Sequence, residues 1–334
     1  MLKRAAGLFM LMILVLAGSV LLSGCGGEQK DVNEVRLGFF PNLTHAAALV
    51  GLEKNLFQQE LGAESTLKTH HFDAGPALME ALSAGEIDIA YVGPVPAITN
   101  YLRGAGVVIL AGAYEGGGTL VAGGDAGIGS AADLAGKRVA IPQLGNTQDI
   151  SLRHILQVNG LKDKLKGGTV EIIQVPPADT LTLMVQKQVD AALVPEPWGV
   201  LMEQKAGAKV LLNWKQVWRD GRYPTTVLAA RKEFLERNPQ LVEKVVKAHI
   251  KAVEAAKANP EEARMLVKRA FKNLVNKEIP DDVLAKALER GQVSTEIDGE
   301  VLREFAKLSY EAGYLKEEPN LEGLVNLQYL KAQQ

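Results

Sequence analysis

The sequence predicts an α/β protein of two Rossmann-like lobes, each a parallel-rich sheet with helices on its faces, joined by a hinge that the chain crosses twice. Three observations lead there. Strand patterns alternate with helix patterns from residue 34 to 231, which is the signature of parallel sheets covered by helices. The pattern restarts near residue 137, after a stretch dense in glycine. One segment also occurs twice, in corresponding places of the two halves.

The first element lies outside both lobes. Lys3 and Arg4 precede an apolar run over residues 8–22, and the small residues Ser23 and Gly24 lead to Cys25. A short basic region, an apolar core and a small-residue cleavage zone make a secretory signal over 1–24. The run is shorter than the roughly 20 residues that comfortably span a bilayer. Leu22-Ser23-Gly24-Cys25 resembles the bacterial lipobox, which implies lipid attachment at Cys25, the only cysteine of the chain. Acyl chains contribute about 0.8 kcal/mol per buried methylene, so several on one residue hold a protein at a membrane. Residues 25–34 are polar and glycine-bearing, as a tether is. With no second cysteine, no disulfide forms within the chain.

About 300 residues remain, enough for two lobes with their own cores. The 37 basic and 39 acidic residues leave a net charge of −2, so there is no electrostatic case for a nucleic-acid partner.

In order, the first lobe reads as strand 34–40, helix 44–57, strand 66–73, helix 76–85, strand 87–93 and strand 106–114. The second reads as strand 137–142, helix 146–160, strand 169–176, helix 180–188, strand 189–194, helix 196–204 and strand 208–214. "PTTVLAAR" at 224–231 is a further strand, and the tail is helical, most clearly at 240–257 and 299–313. Segments 72–98 and 175–201 share one order: strand end, proline-containing turn, short amphipathic helix, Asp-led strand, proline-rich turn. Asp88-Ile89-Ala90 corresponds to Asp190-Ala191-Ala192.

Gly116, Gly117 and Gly118, with the small-residue run 120–129, mark one passage between lobes, and residues 213–226 mark the return. Lobe one is then 35–120 with 224–334, and lobe two is 121–223. Ligands of open parallel sheets bind beyond the carboxyl ends of the strands, so two such edges facing each other enclose a cleft, and two crossings form a hinge that closes it. That is the plan of a bilobal solute receptor.

Helix N-termini carry unpaired N–H groups and partial positive charge, which favour oxyanions. Four turns bring such ends to the cleft: 41–45, 93–96, 144–149 and 195–198. Asn42 and Thr44 suit either helix capping or ligand contact. His45 is a candidate donor, or a packing residue. Gly93 permits close backbone approach, and Pro94 suits a helix start. Asn146 and Thr147 supply cap groups and donors. Trp198 offers an apolar wall with an indole donor, or core packing. Glu196 and Asp149 would repel an anion if they faced it and would suit a ligand ammonium group.

The lipobox together with "GFFPNLTHAAALVGLEKNLFQQELG", "FDAGPALMEALSAGEIDIAYVGPVPAI", "IPQLGNTQD" and "VDAALVPEPW" resembles the aliphatic sulfonate/nitrate/taurine group of ABC-importer solute-binding proteins. The likeness spans residues 35 to about 240. It implies a type II periplasmic-binding-protein fold and capture of a small oxyanion, foremost an aliphatic sulfonate. It also implies delivery to a permease driven by an ATPase, by a monomer anchored outside the cytoplasmic membrane, with no cofactor. The ligand shell it implies is Asn42, Thr44, His45, Gly93, Pro94, Asn146, Thr147, Glu196 and Trp198. Asn146-Thr147 stands where many sulfonate binders have serines, so nitrate, bicarbonate, taurine and pyrimidine precursors remain alternative ligands.

The sequence also bears on three rival functions. The chain lacks a Gly-x-Ser-x-Gly elbow, a phosphate loop and a His-Glu-x-x-His helix, which argues against an enzyme. His70, His71 and Asp73 lie on a strand that sends successive side chains to opposite faces, which argues against a metal receptor. A sensory lipoprotein outside transport is compatible with the same sequence.

Overall fold

A computed structural model of the chain describes residues 33–333, and its two sheets belong to the body that begins at Val35. The signal segment, Cys25 and all but the last two residues of the tether lie outside the described residues.

The first half contains β1 (Glu34–Phe39), α1 (Ala46–Glu53), α2 (Leu56–Leu61), β2 (Thr66–His71), α3 (Gly75–Ser83), β3 (Ile89–Val92), α4 (Pro94–Leu102) and β4 (Val107–Gly116). The second contains β5 (Gly118–Ala122), β6 (Arg138–Ile141), α5 (Thr147–Val158), β7 (Glu171–Gln174), α6 (Pro177–Val185), β8 (Ala191–Pro195), α7 (Trp198–Ala206), β9 (Lys209–Leu212) and the short α8 (Trp214–Val217). The chain then forms β10 (Pro224–Arg231), α9 (Lys232–Arg237), α10 (Pro239–Ala258), α11 (Pro260–Val275), α12 (Asp281–Leu288), β11 (Gly291–Val293), α13 (Gly299–Glu311) and α14 (Gln328–Lys331).

The strands form two sheets. One has the order β2-β1-β3-β10-β4-β11 and the other β7-β6-β8-β5-β9, so the first five places correspond one to one. β1 runs parallel to β3, and β6 runs parallel to β7 and β8. In the fourth place of each sheet stands a strand antiparallel to both neighbours, β10 in one and β5 in the other. The reason is topological: these are the strands that arrive from the other half. They enter at the edge where the parallel strands end and must run back from it.

The correspondence extends to side chains. Asp88, buried ahead of β3, accepts from the Arg36 backbone N–H (3.1 Å), Nε (2.8 Å) and Nη2 (2.6 Å). Asp190 accepts from the same three groups of Arg138, at 2.8, 3.0 and 2.9 Å. The repeat seen in sequence is therefore two copies of one structural unit, with residue numbers shifted by 102 from Asp88 to Asp190.

Three expectations need correction. Residues 120–122 are not linker but the end of β5, buried throughout, and the passage between sheets falls at Gly117 (φ 76°). A strand buried on both faces loses the polar alternation that would mark it. The expected helix over 44–57 is a 3₁₀ turn (Leu43–His45) followed by α1, and the chain breaks at Asn55, whose φ of 56° is left-handed. β11, three residues long and paired antiparallel to β4, is too short to carry a periodic signal.

The helical tail buttresses the first sheet. α10 turns Leu241, Val242, Val245, Val246, His249 and Val253 inward at helical spacing. His249 is a core residue: the ring Nε2 lies 2.8 Å from the Gly112 carbonyl oxygen, so it carries the proton, and Nδ1 accepts from the Tyr91 hydroxyl at 2.8 Å. Burial pushes its pKa down to about 4. No helix among the described residues is long and apolar enough to cross a membrane.

Candidate functional site

The carboxyl ends of β1, β3, β6 and β8 converge on a cavity of about 30 Å³ whose walls come from both sheets and their helices. Its symmetry is that of the repeat: Thr44 and Asn146, His45 and Thr147, and Gly93 and Pro195 all line it, and each pair is 102 residues apart.

From the first half, the short turn after β1 presents His45, 1% exposed. Its Nδ1 accepts from the Phe40 backbone N–H at 3.1 Å, so the proton sits on Nε2. Burial pushes the pKa down to about 3, which keeps the ring neutral and a donor. The Thr44 hydroxyl donates to Asn42 Oδ1 at 2.8 Å, which leaves the Asn42 amide hydrogens for another acceptor. Gly93 caps α4, but Pro94 and Pro96 have no N–H, so Val95 carries the one backbone donor among the three residues after the cap.

From the second half, Asn146 caps α5 by accepting from the Asp149 N–H at 2.8 Å, and its amide hydrogens are likewise left over. The N–H groups of Thr147 and Gln148, in the first turn of α5, have no intrahelical carbonyl to reach. The Thr147 hydroxyl is buried without a hydrogen-bond partner among the described residues. The two helix starts nearly touch: a Cβ added to Gly93 would lie 2.4 Å from Thr147 Oγ1. The Leu43 N–H donates to the Glu196 carbonyl at 3.0 Å, a hydrogen bond between the halves.

Asn42, Thr44, His45, Gly93, Asn146 and Thr147 thus line one cavity, and Pro94, Glu196 and Trp198 do not. Pro94 is buried as the first residue of α4. The Glu196 carboxylate, wholly buried and outside the cavity lining, accepts from the Thr119 hydroxyl (2.8 Å), the Val200 N–H (3.1 Å) and Arg290 Nη1 (2.9 Å), so both its oxygens are engaged within the protein. Burial nevertheless holds its carboxyl above the ordinary range, against the pull of Arg290. Trp198 walls an adjoining cavity of about 130 Å³ with Phe72, Pro176 and Pro177, and Phe40, Asn42 and Asp73 border both cavities. Asp149 is also turned away: it accepts from the Gly145 N–H (2.8 Å), Arg153 Nε (2.9 Å) and the Tyr314 hydroxyl.

Sequence reasoning left Asp73, Ala74, Gly75, Gln148 and Thr225, among others, out of the expected shell. Thr225 lies at the start of β10, where the chain re-enters the first sheet, and its hydroxyl donates to the Gly116 carbonyl at 2.7 Å. Nothing in "PTT" signals this, because its place depends on the return crossing.

Among the described residues, no lysine or arginine lines the cavity, and its one formal charge is Asp73 at the rim. What the walls offer is a set of neutral donors and the N-termini of α3 (Ala74, Gly75), α4 (Gly93) and α5 (Asn146, Thr147), a chemistry suited to a compact monoanion held by oriented dipoles.

The profile of the NMT1-like family matches residues 28–271. The chain belongs to the NMT1-like family. One relative, the taurine-binding periplasmic protein of Escherichia coli K12, is 31% identical over 216 residues, 64% of each chain. The alkanesulfonate-binding protein SsuA from Xanthomonas axonopodis pv. citri, solved bound to MOPS, superposes with a TM-score of 0.73 at 20% identity, over 88% of this chain and 98% of that one. The periplasmic nitrate-binding protein NrtA from Synechocystis PCC 6803 gives a TM-score of 0.75 at 18% identity, over 91% of this chain and 88% of that one. This NMT1-like chain therefore has the fold of periplasmic binding proteins, as the sequence predicts.

Proposed function

We propose that this protein is the solute receptor of an ABC importer, capturing a small oxyanion, foremost an aliphatic sulfonate, between lobe one (35–120 with 224–334) and lobe two (121–223). The observation that carries the reading is the buried Thr147 hydroxyl, without a partner among the described residues, at the start of α5 in a cavity it shares with the neutral His45 donor. An unpaired buried donor costs stability, and an oxyanion oxygen supplies its acceptor. Asn42, Asn146 and the first-turn N–H groups of α5 complete the shell.

In this reading the contact of Gly93 with Thr147 belongs to the closed state, and the open state separates the two helix starts by rotation about Gly117 and the return segment. Binding drives closure by the difference in affinity between the two states. A micromolar affinity corresponds to about 8 kcal/mol, which a handful of charge-assisted hydrogen bonds supplies. The closed monomer then presents its solute to a permease and its ATPase. Cys25 carries the lipid that keeps it on the outer face of the cytoplasmic membrane.

Asp73, bordering both cavities, favours a second and narrower reading: a zwitterion whose anionic head enters the inner cavity while its ammonium group stays near this carboxylate. Calorimetric titration with methanesulfonate, taurine, nitrate and bicarbonate tests both. Micromolar binding of a sulfonate, with the ligand recovered unchanged, supports capture without turnover. Tighter binding of taurine than of methanesulfonate supports the zwitterion. Binding of none of the four ends the proposal.

A further inference from the structure

Against the anion cavity, apart from the 130 Å³ space walled by Trp198, lies a smaller one of about 10 Å³. Thr147, Gln148 and Thr225 line both, so the two are separated by nothing but shared walls. A space of this size accommodates roughly one water-sized oxygen. Its walls also include Tyr223, on the segment that returns the chain to the first sheet, Ser151 of α5 and Gly118 of β5. Tyr223 is 1% exposed, and its hydroxyl has no hydrogen-bond partner among the described residues. A Cβ on Gly118 would lie 3.4 Å from that hydroxyl oxygen, which places the phenol tip against another lining residue of the same cavity. Two residues whose buried hydroxyls have no partner among the described residues, Thr147 of α5 and Tyr223 of the return crossing, therefore line one oxygen-sized space.

We propose that Tyr223 is a specificity-determining residue of the oxyanion site: its hydroxyl donates to a single oxygen held in the 10 Å³ cavity, an oxygen of the anion or a water bound to it. The inference rests on the oxyanion reading above. Burial pushes the phenol pKa upward, so the group remains a donor at any physiological pH.

The test is Tyr223→Phe, with calorimetric titration of methanesulfonate, taurine and nitrate and thermal unfolding of the ligand-free protein. Expected is a Kd about tenfold weaker for the anion that the wild type binds best, about 1.4 kcal/mol. The ligand-free Tm should be unchanged or higher, since the variant removes a buried hydroxyl that has no partner. In a cycle with Thr147→Val, the combined loss should fall short of the sum, because both hydroxyls serve one oxygen. A wild-type Kd for Tyr223→Phe, or additive losses in the cycle, overturns the inference and leaves the oxyanion reading intact. A wild type that binds none of the three anions overturns both.

Discussion

Arg290 reaches from the segment before β11 to the carboxylate of Glu196, at the end of β8 in the other sheet, with Nη1 2.9 Å from Oε1. Its Nη2 lies 2.5 Å from Glu203 on α7, so one guanidinium joins two carboxylates of the opposite half. Arg290 and Glu196 are both shielded from solvent, with side chains 12% and 0% exposed. Removing one partner of such a pair costs about 3–5 kcal/mol, because the other charge stays buried. Arg290→Ala should therefore lower unfolding stability by about 3 kcal/mol at pH 7, and adding Glu196→Gln should restore part of it. The pH dependence has a definite sign. A carboxyl held above its ordinary range by burial adds stability at low pH that is lost as pH rises through the folded-state value. Without Arg290 that value moves further up, so the gap to wild type should be smaller at pH 5 than at pH 8, as read by urea titration. A gap that widens toward acid would show that Glu196 is not the source of the loss.

Gly93 adopts φ −63° and ψ 146°, a conformation open to any residue, so only space explains a glycine there. A Cβ would meet Thr147 Oγ1 at 2.4 Å. Gly93→Ala should hold the two helix starts apart and weaken ligand binding by tenfold or more. If the ligand-free protein is open as proposed, it loses nothing, and the reduced freedom of its unfolded chain adds about 0.4–1 kcal/mol. Opposite movements of Kd and Tm are the expected result of titration and thermal unfolding. A fall in Tm with unchanged Kd would place the constraint in packing instead.

Much of the fold was readable in the sequence, and the reason is redundancy. Asp88 and Asp190 each lead a buried strand and each bind the arginine 52 residues before them, so the duplicated unit announced itself twice. His45 and Thr147 were accessible to reasoning because a turn that opens a helix exposes N–H groups whatever surrounds it. Glu196 and Trp198 were not, since the direction of each side chain depends on Arg290 and on the wall formed with Pro176 and Pro177, both distant in sequence. Thr225 and Tyr223 were hidden for the same reason: they reach the site through the return crossing, which carries no local motif.

His45 decides how binding responds to pH. Burial sets its pKa at about 3 against an ordinary 6.5, and its Nδ1 is occupied by the Phe40 N–H, so protonation would require breaking that bond. Ligand affinity should accordingly be flat from pH 6 to 8. A tenfold tightening as pH falls from 8 to 6 would mean a cationic His45. Stability behaves differently. The unfolded chain takes up a proton near pH 6.5 that the folded ring refuses, so the contribution of His45 is complete above that pH and is lost as pH falls toward 3, by about 1.4 kcal/mol per unit. His249, lowered to about 4 by burial, adds the same sign, and acid unfolding curves should steepen below pH 6.

Trp198 bears on which ligand is preferred. It shares the 130 Å³ cavity with Phe72, Pro176 and Pro177, and that cavity meets the anion cavity at Phe40 and Asn42. An anion without a substituent occupies the inner space alone. An organic sulfonate extends past Asn42 and removes apolar surface from water against the indole, at about 25 cal/mol per Å². Trp198→Ala should therefore weaken an alkanesulfonate with a chain of several carbons by about tenfold and leave nitrate within twofold. The indole also packs 6.1 Å from the Phe271 ring, so the variant will unfold at lower temperature whichever ligand is used. The ratio of the two affinities cancels that shared loss, because a weakened scaffold affects both ligands alike. Equal losses for the two would remove Trp198 from ligand selection and leave it a packing residue.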